Sequence, residues 1–245
     1  ASCLVGSEMC IRDSMEQTQK VKLEKLLHYN MTCIGGFMGT CAICGFEGNF
    51  ASAQTGNIMS LTKELVGGDL FQVSLRLGAL ILFCLSMAVS FLIKRFLKPD
   101  MERLSLMVDG GCLLLSLTLP EGIPAIIRLY PVFIASSFQW GTFSGAGGYN
   151  SASIFTTNNL KQCVLSWTQY VLDREEAMLD RAWFYTWTVT SFITGAVTGC
   201  ISMLDMGNKG IFIGLAMILL AELICRRKNK CIRREQDQMD KNPRQ

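Results

Sequence analysis

Apolar stretches with few charges recur along the chain at residues 29–46, 75–93, 104–119, 123–143, 183–204 and 210–225, with polar or charged segments between them. Most approach the roughly 20 residues that a helix rising 1.5 Å per residue needs to cross about 30 Å of hydrocarbon. The third and sixth are shorter, and would borrow flanking residues or thin the bilayer locally. Two segments break this pattern with clustered amides and hydroxyls: Gln54, Thr55, Gly56 and Asn57 after Phe50, and Thr156, Thr157, Asn158 and Asn159 before Leu160. Hydrocarbon tolerates such groups at depth only where protein or a water-filled cavity satisfies them, so a matched pair of polar knots points to a cavity.

Charge then sets the number of crossings. Lys20, Lys22 and Lys25 precede the first apolar run, Lys94, Arg95, Lys98 and Arg103 lie between the second and third, and basic residues at 226–234 follow the last. Basic residues near span ends mark the cytoplasmic side. All three clusters share one side only if 50–66 and 151–171 enter the membrane and return. Arg76, Arg128 and Lys209 then fall at the opposite surface, against the rule but outnumbered.

The expected fold is an all-α polytopic membrane protein: about six transmembrane helices plus two re-entrant or half-helix segments, in an inverted 3+3 repeat with both termini cytoplasmic. The units are a basic leader at 15–28, a first membrane repeat at 29–119, a second at 120–225, and a basic and polar tail at 226–245, unstructured past Glu235. Residues 1–14 match nothing downstream and resemble a translated sequencing adapter, so Met15 is the expected start.

Broken helices in such repeats turn their N-termini and loose backbone groups toward one central cavity. Gly56 is expected to turn with positive φ, Asn158 to do the same in the second knot, and Thr55 or Asn57 to cap the half-helix that follows. Paired helix N-termini favour an anion or a neutral hydrogen-bonding solute, and Lys161 leans the same way. Gln139, Trp140 and Thr142 precede the second knot as Phe37 and Thr40 precede the first, and are further lining candidates. Asp109 falls inside an apolar run, where an ionisable group usually faces a polar interior or proton path; the plainer alternative is pairing with Arg103.

Other features read as structural. Gly35 with Gly39, Gly141 with Gly145, and Gly195 with Gly199 have the spacing that draws helices together. Arg128 anchors to headgroups, Glu47 and Glu222 are solvated, and 173–181 is a solvated cytoplasmic helix or loop. Of 11 cysteines most lie in apolar runs as reduced packing residues; Cys41 and Cys44 have no second pair, and His28 is the only histidine. No metal, cofactor or nucleic-acid partner is expected, and no phosphate loop, H-E-x-x-H, nucleophile elbow or EF-hand pattern points to an enzyme.

Gly35-Gly36-Phe37 followed by 50–57, and Ser136-Ser137-Phe138-Gln139-Trp140 followed by 156–160, resemble the YoaK-like family of bacterial integral membrane proteins, a family of unknown function. The similarity covers roughly 29–225. Where the family's second half carries Thr-Gly-Asn, this chain has Thr157-Asn158-Asn159. The resemblance implies a bacterial plasma-membrane location and supplies neither substrate nor catalytic residue.

The repeat argument makes the leading expectation a small-solute secondary transporter or channel, with Gln54, Thr55, Asn57, Thr157 and Asn159 bordering the passage. The alternative is a non-transporting scaffold or assembly subunit whose knots only fasten helices together. The expected partners are the lipid bilayer and a small solute, with a homo-oligomer an open option.

Overall fold

The computed structural model describes the backbone of residues 2–241 and the side chains of 17–234. Helix α1 runs Ser2–Gly45 and stops where Glu47 and Gly48 take left-handed backbone, φ 55° and 73°. After a short dip come α2, Gln54–Gly67, and α3, Leu70–Phe96, the latter capped by Asp69 accepting from the Gln72 amide. Asp100 caps α4, Met101–Thr118, in the same way. Pro124 opens the four-residue α5, Ala125–Arg128, and α6 follows at Tyr130–Thr142 with Pro131 in its first turn.

A two-residue-strand hairpin, β1 Gly145–Ala146 and β2 Tyr149–Asn150, turns through Gly147 and Gly148 at positive φ and leads to α7, Thr157–Asp173. Then α8, Glu176–Met206, a 3-10 turn at Gly207–Gly210, and α9, Ile211–Lys241, complete the described chain.

The all-α expectation holds, while several boundaries move. The run 123–143 is divided between α5 and α6, and α9 continues past Glu235. The backbone of 2–14 is continuous with α1; the adapter reading of that stretch concerns side chains outside the described residues. Gly56 and Asn158 are both helical, so neither makes the expected turn, and the caps of α2 and α7 are Ala53 and Thr156, without a side-chain cap bond.

Two stretches among the described residues are long and apolar enough to cross a membrane by composition alone: Leu70–Phe96, mean hydropathy 2.2, and Glu176–Arg234, at 1.8, which includes α8 and α9. The runs 29–46, 104–119 and 123–143 do not meet that measure. The reasons differ: 123–143 is divided into helices of 4 and 13 residues, α4 carries Glu102, Arg103 and Asp109 within its 18 residues, and 29–46 is diluted by Tyr29, Asn30 and Thr32.

The principal helix pairings are α1 with α8 and α9, α6 with α3 and α4, α2 with α3, α7 with α8, and α4 with α9. This set is unchanged when α1–α4 are exchanged for α6–α9. The two corresponding interfaces are made by different means. Between α1 and α8 backbones nearly touch: a Cβ built on Gly195 would lie 1.8 Å from Cys33 O, and one on Gly36 2.2 Å from Phe192 O. Between α3 and α6 hydroxyls bridge instead, with Ser86 donating to Ile134 O, Ser137 to Phe83 O and Tyr130 to Leu75 O.

Helices α1 and α8 run the same way, Tyr29 beside Phe184 and Gly45 beside Met203. Helix α9 returns from Gly210, which packs on Ser202, and α4 meets α9 in the opposite sense, with Gly110 near Ile218, Leu113 near Gly214 and Glu102 paired to Lys228. One end of the bundle therefore collects Lys25, Arg103 and Lys228. At the other end Arg128 bonds Asn208 and lies over the Phe46 ring, and Arg76 bonds Asn49 and approaches Glu64 at 4.0 Å. Both arginines thus have protein partners at that end.

Candidate functional site: two polar hairpins and a cleft

After Gly45 the chain doubles back along α1, and Ser52 reaches the level of Gly39, where an added Cβ would sit 3.7 Å from its Oγ. From Gln54, α2 returns to the end it left, its Glu64 beside Arg76. The second dip leaves α6, passes the β-hairpin beside Lys25, and brings Ser153 O against Gly35, where a Cβ would fall 2.5 Å away; α7 then returns to the start of α8. Gly35 and Gly39 are one turn apart, about 6 Å along the axis. Both hairpin tips thus touch one short stretch of α1 from opposite ends of the bundle.

Each tip is closed by an asparagine. Asn57 Nδ2 donates to Phe50 O at 2.9 Å and Asn159 Nδ2 to Ala152 O at 2.9 Å, both bonds spanning seven positions. Asn57 adds a long contact to Gln54 Oε1 at 3.4 Å. Asn159 also donates to Phe155 O, which fixes its Oδ1 as the acceptor of the Ser151 hydroxyl at 2.9 Å. With that proton committed, His28 Nε2, 2.8 Å from Ser151 Oγ, must be the donor, and His28 Nδ1 is left a bare acceptor with no partner. Gln139 on α6 donates to Met31 O and to Ser153 Oγ, tying the second tip to α1.

The sequence-selected residues separate into groups. Asn57, Asn159 and Gln139 are buried and bonded to main chain, as clamps; Gln54 and Thr156 are half-buried at the tips. Thr55, Thr157 and Asn158 are exposed, so neither threonine is enclosed at a central passage. Asp109 is buried on α4, and the Arg103 pairing considered for it is absent: Arg103 contacts Asp100 and Glu222. Gly56 serves close packing, since a Cβ there would lie 2.9 Å from the Phe50 ring.

Asn158 borders an open cleft of about 620 Å3, lined also by Tyr149, Asn150, Gln162, Arg181 and Tyr185. This size falls within the roughly 300–1,000 Å3 typical of small-molecule sites. Arg181 donates to Gln162 Oε1, and Tyr185 OH donates to Asn150 O at 2.7 Å, so the walls are braced. Lys25 stands 5.3 Å over the Tyr149 ring, and burial, then the Asp180 carboxylate, push the Tyr149 phenol above its ordinary range, against the pull of Arg181. Tyr149 therefore presents a neutral hydroxyl at neutral pH. The first turn of α7 has no side-chain cap, which leaves amide donors beside Asn158. Sequence reasoning missed Arg181 and Tyr149: the first stood in a charge-mixed stretch read as solvated, the second just ahead of the second knot.

Cys41 Sγ donates to Gly199 O, and Cys44 lies 3.3 Å from Cys200 with both thiols free, as packing residues. Asp100, Glu102 and Cys225 converge within ligand distance of one another, but the Lys228 ammonium already pairs with Glu102.

No curated protein and no solved structure matches this chain. A family model, Protein of unknown function (DUF1275), matches residues 27–224.

Proposed function

The chain belongs to the DUF1275 family, whose function is unknown, and we propose that it is a polytopic bacterial plasma-membrane protein that passes a small anionic or neutral polar solute, as a secondary transporter or channel. In this reading it is YoaK-like, its termini are cytoplasmic, and it is not an enzyme. The six apolar runs cross, the two polar hairpins dip in from opposite leaflets, and 29–119 and 120–225 form an inverted repeat. The observation that carries the reading is the meeting of both tips on one turn of α1, at Gly35 and Gly39.

Supporting this, α3 exposes Leu77, Ile81 and Leu85, and α8 exposes Ile193, Val197 and Ile201, each at helical spacing. Apolar stripes of this extent suit lipid better than water. The cleft gives solute a place to arrive, on the side of the bundle where Lys25, Arg103 and Lys228 gather. Arg181 and the uncapped α7 amides favour negative charge or hydrogen-bond acceptors there.

Purified protein reconstituted in vesicles is expected to pass at least one member of a panel of small carboxylates, inorganic anions and polar neutral solutes. Asn158→Trp, which fills the cleft, should abolish that flux at unchanged thermal stability. Folded protein that passes none of the panel overturns the transport reading. One observation favours a scaffold instead: the clamp asparagines spend their donors on backbone carbonyls, as pure fasteners do.

A further inference from the structure

Helix α4 carries one polar stripe. Ser105, Asp109, Cys112 and Ser116 follow one another at helical spacing, and all but the half-buried Cys112 are inaccessible. Cys112 meets the backbone of Ala135, which sets the stripe against α6. Ser116 donates to Arg128 O, but both oxygens of Asp109, Ser105 Oγ and Ser136 Oγ have no hydrogen-bond partner.

An ionised carboxylate with neither hydrogen bond nor cation in a protein interior costs several kcal/mol. A proton or a cation has to accompany it. On the helices packed against α4, Tyr130 of α6 donates to Leu75 O, Glu222 of α9 pairs with Arg103 and Arg226, Cys225 meets Glu102, Lys228 pairs with Glu102, and Arg227, Lys230, Arg233 and Arg234 lie more than two turns beyond Ile218, the α9 residue beside Gly110. On α4 itself Glu102 and Arg103 belong to that same end network, which leaves Cys112 as the ionisable neighbour. No cation among these groups is spare for Asp109, so the small ion that fits is the proton.

We propose that Asp109 is a proton-exchange site, filled from the Arg103 end of α4 by way of Ser105. A proton from water at that end, where Arg103 is partly exposed, passes to a carboxylate oxygen of Asp109 and leaves by the same route. Nothing is oxidised or reduced in this transfer. If the protein moves solute, as proposed above, Asp109 makes the proton its driving ion; that use rests on the transport reading, whereas the site itself does not.

The test needs no substrate. Protein in vesicles is treated with a lipid-soluble carbodiimide, which reacts with protonated carboxyls, over a pH series, and adducts are located by mass spectrometry. The expected result is an adduct on Asp109 whose yield falls at least tenfold as pH rises, absent in Asp109→Asn and slowed severalfold in Ser105→Ala. Folded wild-type protein with no adduct at any pH, or a yield independent of pH, overturns the proposal. Solute flux measured alongside separates the two ideas: flux without the adduct removes the proton site and leaves transport standing, and the adduct without flux does the reverse.

Discussion

Asn57 and Asn159 each reach back seven residues to a main-chain oxygen, yet what surrounds that shared bond differs between the two hairpins. In the first, the residue whose carbonyl is bonded is Phe50, and its ring lies against Gly56. In the second, the corresponding residues are Ala152 and Asn158; no ring occupies the place, and Asn158 opens onto the cleft. The second tip is also tied to α1 through His28 and Gln139, whereas the bonds of Asn57 stay within its own hairpin. One backbone device thus serves a plugged knot and an open one, and side-chain size at two positions makes the difference.

Replacing the clamps is the strongest way to break that comparison. Asn159→Leu removes bonds to Ser151, Ala152 and Phe155 and leaves buried partners unsatisfied. Ser151 keeps His28, so two main-chain oxygens are stranded, and at about 1–3 kcal/mol each the expected loss is about 2–6 kcal/mol. Asn57→Leu gives up one short bond, and about 1–3 kcal/mol is expected. Thermal unfolding in detergent should rank them in that order; equal losses would mean that the additional bonds of Asn159 contribute nothing.

Gln139→Leu comes next. It strands Met31 O and lets the second tip part from α1, for about 2 kcal/mol. Its own Oε1 has no partner, so part of the cost is returned. The measurement is the same unfolding series, with cleft accessibility followed by an impermeant thiol reagent on Ala177→Cys, at a position that lines the cleft, in a background lacking the native cysteines.

The sequence displays some of this contrast and hides the rest for definable reasons. Both knots, both asparagines and Gln139 stand out because amides are costly in apolar surroundings. The expected turn at Gly56 and Asn158 fails because the helices begin at or before those residues, and a glycine needed for close packing looks the same in sequence as one needed for positive φ. The His28 link to Ser151 joins residues 123 positions apart, which no local pattern reveals. Arg181 looked solvated because its charge-mixed neighbours masked a cation that lines the cleft.

The plug can be removed directly. Phe50→Ala takes away the ring that packs on Gly56, at about 1–3 kcal/mol for a half-buried aromatic. It should make the first hairpin resemble the second: a cysteine at position 56 in the same background would react with impermeant thiol reagents only when Phe50 is small. Unchanged reactivity would show that the ring is not what closes the first knot.

The smallest effects are expected at the threonines, Thr55→Val and Thr157→Val. Both side chains are exposed, neither supplies a cap bond, and the asparagine two residues on in each knot holds the turn. Surface changes of this kind usually stay within about 0.5 kcal/mol. Flux, where measured, should be unaltered at Thr55, because the cleft is lined from the second hairpin and not from the first. A loss of flux at Thr55 as large as that from Asn158→Trp would reverse the assignment, placing solute at the first hairpin and making the cleft at the second a bystander.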